Sequence, residues 1–132
     1  MRADARELAF KLIFERLFVK DNFTDEEFFA SLKKEEDVSF ANDIIKCYDD
    51  HKEVIREIIS SHLVGYELNR VYKVDLAILC EAIAEIKYIK TPYQVVINEA
   101  VKIAKKYSTE NSGKFVNGVL STIVKSLSSK EE

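Results

Sequence analysis

Glycine and proline are scarce here, three and one in 132 residues. That is too few for the turns an all-β protein spends them on. Cysteine is nearly absent too. Cys47 and Cys80 stand alone, with no pair of cysteines or histidines to complete a metal-ligand set, which argues against a zinc site and against any need for a disulfide. Both fall in apolar helical patterns and read as buried thiols. No apolar run reaches 18 residues and no charged-then-apolar leader opens the chain, so the sequence reads as a soluble, cytoplasmic protein with no membrane partner. A surplus of positive charge is also missing. The net charge is −3, so the chain as a whole is no basic nucleic-acid binder.

The residues of catalysis are equally thin. His51 and His62 lie eleven apart on helical patterns, on one face but three turns from each other, too far to share a metal. Ser126, Ser128 and Ser129 have no base nearby. Gly113-Lys114 lacks both the glycine five residues before it and the following Ser or Thr of a phosphate loop. Glu81 and Glu85 form an i,i+4 carboxylate pair, but no Glu-x-x-His motif completes a di-metal site. These absences predict a non-enzyme with neither cofactor nor metal.

What is present is helical periodicity and 47% hydrophobic residues, enough for one core and one domain over residues 1–132. Asp4 and Glu7 have capping-box spacing ahead of a first helix over residues 5–19, apolar on two stripes. A second is predicted from Thr24 to Leu32, a third from Ser39 to Tyr48, and a fourth from Asp50 to Leu63, with Gly65 as its stop. A packed connection over residues 66–74 leads to a fifth helix capped by Asp75. Thr91-Pro92 opens a sixth that ends at Tyr107, and a seventh runs from about Ser112 to Leu127. The fold class is all-α, with about seven helices. Charge is uneven along it. Residues 20–37 hold three lysines against seven acids, a net −4, whereas residues 87–125 hold seven lysines against Glu99 and Glu110, a net +5.

The stretch Pro92–Leu120 reads P-x-x-V-x-I-N-E-A-V-x-I-A-K-x-Y, a short polar loop, then K-F-V-N-G-V-L. With R-x-D-A-R-E-L-A-F-K-L-I-F at the start and Asp75-Leu-Ala-Ile-Leu in the middle, it closely resembles the bacterial transcription antitermination factor family NusB. Residues 20–65 match only in helical pattern. The resemblance implies two small helical bundles, with the first helix in both or between them, and no catalytic activity. It also implies pairing with NusE, a ribosomal protein of the small subunit. That pair binds boxA RNA within the RNA polymerase antitermination complex and suppresses termination in ribosomal RNA operons.

For the RNA the resemblance and the residues together indicate Arg2, Arg6, Lys11, Phe14, Asn111, Lys114 and Phe115. Arg2 and Arg6 lie four apart on one helix face, suited to phosphate, and Lys11 extends the strip. Ser112 can cap the last helix, whose N-terminus with Lys114 favours an anion. Phe115 could stack on a base or pack in the core. Asp75 falls where the family has an acidic contact to NusE, and could equally be a plain cap. Asn117 and Gly118 read as a buried polar anchor and a close helix contact, Asn98 and Glu99 as fold anchors. The chain departs from the family in its thinner Arg cluster, in Phe14 for a frequent Tyr, in Asn111 for an Asp in some members, and in Cys80 for a frequent Arg on the partner surface. The second apolar stripe of the first helix would support a homodimer that hides the RNA face. One alternative is a helical interaction module with little RNA affinity of its own. Another, the NusB-like domain of an rRNA cytosine methyltransferase, is disfavoured because no methyltransferase domain follows Glu132.

Overall fold

The computed structural model describes residues 2–18, 32, 34–65 and 67–131, with side chains through residue 128. Among these residues every regular element is helical. The helices are α1 (Arg2–Phe18), α2 (Glu35–Ser61), α3 (Lys73–Ala84, carried on by a wider π turn over Glu85–Ile89), α4 (Tyr93–Tyr107) and α5 (Glu110–Glu131), with a short 3-10 turn at Leu68–Arg70. Among the described residues the count is five rather than about seven. The predicted third and fourth helices are one continuous α2, bent at His51, whose φ −127 and ψ 20 leave the helical range. The Asp50/Glu53 capping signal therefore marks a kink, and the His51 ring stacks on Tyr88 there, 4.0 Å between centroids. The predicted helix Thr24–Leu32 lies outside the described residues, apart from Leu32.

α3 is the centre. Every residue from Asp75 to Ile86 is buried, as expected of a helix apolar all round. α1 and α2 pack on each other and on α3. So do α4 and α5, which makes α3 the helix common to both groups. Apolar residues of all five helices join one continuous core. Of α1's second stripe, Phe10 is buried, Phe14 and Leu17 are half-buried, and Phe18 is 60% exposed. Cys80 is fully buried, its thiol pushed up to about 12 by that burial, so it does not itself line a surface. Cys47 is half-buried. No helix among the described residues is long and apolar enough to cross a membrane.

A buried polar cluster interrupts this core between α1 and the end of α3. Arg6, buried on α1, donates from Nε to both carboxylate oxygens of Glu85, at 3.0 and 2.8 Å. Thr91 donates to the same carboxylate at 3.0 Å. That is why Thr91 does not cap α4: α3 overruns into its π turn, Lys90 reverses the chain in the left-handed region at φ 67, and the Thr91 hydroxyl arrives beside Glu85. Beneath lies Glu81, also fully inside the core. Burial first, then the adjacent charge of Glu85 and a hydrogen bond to it, push the Glu81 carboxyl well above its ordinary 4.5, with the Arg6 charge opposing. The fold therefore favours the protonated form of Glu81. Burial alone would lower the Arg6 pKa, but the bond and charge of Glu85 outweigh it and raise the value.

Because the folded pKa of Glu81 is raised, its contribution is fully present below about pH 4.5 and is lost as the pH rises toward its folded value. Glu81→Gln keeps a donor for Glu85 without an ionisable proton. Its stability relative to the parent should grow as the pH is raised from 4.5 to 8, measured by urea unfolding. A constant difference would mean that Glu81 does not titrate in this window.

Candidate nucleic-acid interface

The expected RNA-facing residues divide among three surfaces. At the start of α1, Arg2 is exposed and its guanidinium lies 4.3 Å from the Phe40 ring centroid, with that of Arg6 at 5.2 Å. Both line a groove of about 670 Å³ with Glu36, Asp43, Ile89, Pro92 and others. Only Arg2 is available to an anion there. Arg6 is committed to Glu85, and a phosphate could reach it only by breaking a buried ion pair.

The second surface is the corner where α4 gives way to α5 beside α1. Tyr107 is its hub. The ring lies 5.4 Å from that of Phe10, with Lys11 Nζ at 5.1 Å and Lys106 Nζ at 5.3 Å from its centroid. Its hydroxyl donates to Glu7 Oε2 at 3.0 Å, and Lys106 donates to Glu7 Oε1 at 2.9 Å. Glu7 thus clamps α1 to the corner rather than completing a capping box. Burial would raise its pKa, but the bonds from Lys106 and Tyr107 prevail and lower it. Lys11 and Lys106 remain exposed on this corner. Tyr107, Lys106 and Glu7 were not singled out from the sequence as site residues. The Tyr that ends the I-A-K-x-Y motif was the available signal.

The third surface is a cleft of about 580 Å³ between the 3-10 turn, the start of α3 and the start of α5. It is lined by Arg70, Val71, Tyr72, Asp75, Thr109, Asn111, Ser112 and Phe115. Here the structure gathers three expected residues, Asn111, Phe115 and Asp75. Asn111 is exposed and Phe115 half-buried against the core. Asp75 forms the floor and is only 3% exposed. Its Oδ2 accepts the Ser112 hydroxyl at 3.0 Å, while Oδ1 accepts no hydrogen bond. Burial pushes its carboxyl up, partly offset by Ser112 and Ser108. Asp75 sits in the first turn of α3, which starts at Lys73. Likewise Thr109 rather than Ser112 caps α5, its Oγ1 accepting the Ser112 N–H at 3.0 Å.

Lys114 is exposed on α5 outside the cleft, and Phe14 lies further along α1, edge-on to Phe18 at 5.0 Å. Asn117 and Gly118, read from the sequence as buried, are exposed, and a Cβ at Gly118 would meet nothing within 4 Å. The close approach is at Gly113, where a Cβ would come within 3.3 Å of the Lys105 side chain crossing from α4. The described residues contain no group of three or more metal-ligating side chains.

The described residues thus present exposed cations on α1, α4 and α5 and a polar cleft between the 3-10 turn and the starts of α3 and α5. A sequence profile described as NusB family matches residues 3–125. Over 94% of this chain and 98% of the relative, it is 37% identical to the transcription antitermination protein NusB of Clostridium novyi. With that of Oceanobacillus iheyensis it shares 43%, over 93% and 98%. T. maritima NusB superposes with a TM-score of 0.85 at 35% identity, covering 95% of this chain and 91% of that one. A crystal structure of antitermination factors NusB and NusE in complex with dsRNA gives 0.84 at 30% identity, over 95% and 96%. The chain belongs to the NusB family.

The lowered pKa of Glu7 fixes the sign of a test of the corner. Its stabilising contribution is present at neutral pH and disappears as the pH falls through its folded value, below 4.5. Glu7→Gln should therefore lower the denaturation midpoint at pH 7 and leave it close to that of the parent near pH 3. Equal losses at both values would remove the ion pair as the cause.

Proposed function

We propose that this chain is a transcription antitermination factor that pairs with NusE and, in that pair, binds boxA RNA to suppress termination in ribosomal RNA operons. It acts in the cytoplasm as a scaffold within the RNA polymerase complex and performs no chemical step. Residues 1–132 form one domain, its two helical groups sharing α3. The observation that carries this reading is the match along nearly the whole chain to NusB proteins, one of them solved together with NusE and RNA. Arg2, Lys11 and Lys114 are the exposed cations proposed to meet phosphate, with Asn111 and Phe115 in the cleft and Phe14 further along α1. Any group that reaches Asp75 has to enter the cleft. Arg6 supports the RNA surface by anchoring α1.

A second reading, an interaction module with little RNA affinity of its own, draws on the same Arg6. With that side chain committed to Glu85, α1 offers RNA only Arg2 and Lys11 among the expected cations.

Affinity for boxA RNA, measured with and without NusE over a range of salt, separates the two. Phosphate contacts give a negative slope of log affinity against log salt, about 0.7 per contact for a single strand. Replacing Arg2, Lys11 and Lys114 together by Ala should flatten that slope by about two. A slope unchanged by the three substitutions would support the module instead.

A further inference from the structure

Two buried carboxyl groups share one guanidinium. Glu81 is 1% exposed and Glu85 0%, and Arg6 is bonded only to the second of them. Glu81 and Glu85 lie one turn apart on α3, and a hydrogen bond joins them. Ionised carboxyl groups only accept, so that bond requires a proton. Glu85 already accepts from Arg6 on both oxygens and from Thr91 on Oε1. Those bonds suit a carboxylate and leave Glu81 as the better place for the proton. Glu81 Oε1 is buried and makes no hydrogen bond, an orphan that costs less on a neutral carboxyl than on a charged one. The charged groups that act on Glu81 are Glu85 on its own helix, Arg6 on α1 and Glu99 on α4. Burial and the two glutamates favour its neutral form, and Arg6 opposes them. Glu99 is itself paired with Lys102, at 3.6 Å.

We propose that Glu81 is a proton-dependent latch for the start of α1. Neutral, it donates to Glu85 and leaves one positive and one negative charge in the core. When it releases its proton to water, Glu85 loses a donor and gains a negative neighbour that one guanidinium does not balance. The contact of α1 with the end of α3 then loosens. Arg2, one turn before Arg6, loses its place over Phe40 in the groove. Glu81 is thus a positioning residue for Arg2. The sign follows from a folded pKa raised above the unfolded one: the latch is closed at low pH and opens as the pH rises through the folded value. The latch is internal to the fold, and only its effect on binding rests on the reading that this chain binds RNA.

Two measurements on the full chain between pH 5.5 and 8.5 test it. The first is the NMR resonance of the Arg6 Nε–H, which needs no RNA. In the parent it should move in one step as Glu81 loses its proton. In Glu81→Gln, which keeps a donor for Glu85, and in Glu81→Leu, which has neither proton nor charge, it should not move. The second is affinity for boxA RNA with NusE present. At pH 5.5 the parent and Glu81→Gln should bind alike. At pH 8.5 the parent should bind about tenfold less tightly than Glu81→Gln, the low end of what a hydrogen bond to a charged group contributes. His51 and His62 are common to these proteins, so their titration cancels in the comparison. A merely structural role for Glu81 would give the same affinity ratio at both pH values, and that result would overturn the proposal. So would an Arg6 resonance that does not move in the parent, or that moves equally in Glu81→Gln. If Glu81→Leu does not fold, the comparison with Glu81→Gln decides alone. If no RNA binds at either pH even with NusE, the functional reading fails, while the Arg6 resonance still decides the latch.

Discussion

The arrangement of this molecule depends on one buried ion pair, Arg6 with Glu85. Taking a guanidinium and a carboxylate out of water is expensive, and the pair is tolerable only when its remaining hydrogen-bonding capacity is met. Here Thr91 supplies a further donor, and burial favours the neutral form of the adjacent Glu81. Because the two partners lie 79 residues apart, on α1 and on the π turn that ends α3, the pair fixes the register of α1 on the central helix. With the Arg6 charge neutralised inside, α1 turns Arg2 and Lys11 outward.

The same helix reaches the α4–α5 corner through Glu7 and Phe10, both of which meet Tyr107. A few residues beyond that corner, α5 begins with Thr109 as its cap and contributes one wall of the cleft over Asp75. One rigid helix thus links a buried polar anchor, a cationic corner and, through the α4–α5 connection, the cleft. Substitution of an anchoring residue is therefore expected to change both stability and binding, whereas an exposed lysine on the same helix affects binding alone.

Much of the fold was legible in the sequence because apolar periodicity directly reports a buried face. α3 through α5 lie close to the places their patterns indicated. The break expected at Asp50 falls beside the kink at His51, across which two helical segments run together as α2; the stacking of His51 on Tyr88 that accompanies it joins residues 37 apart and has no local signal. Thr91 and Ser112 were likewise credited with capping because short-range rules know nothing of Glu85 or Asp75, which engage them from other helices. At the site, residue type was the weaker guide. Arg2 and Arg6 have the same spacing and charge, yet one is on the surface and the other inside, because only Arg6 meets a carboxylate from α3. Exposure of Asn117 and Gly118 was also missed. A glycine in a helix interior costs about 1 kcal/mol relative to Ala, and packing within the chain gives no compensation for it at Gly118.

The central claim is that Arg6 is an internal anchor and not a phosphate contact. A double-mutant cycle on Arg6→Met and Glu85→Met, read by chemical unfolding, tests it most directly. Each single replacement leaves a buried charge unpaired and should cost about 3–5 kcal/mol. The double replacement should cost far less than the two together. Single losses that are small and simply add would contradict the account and return Arg6 to the surface.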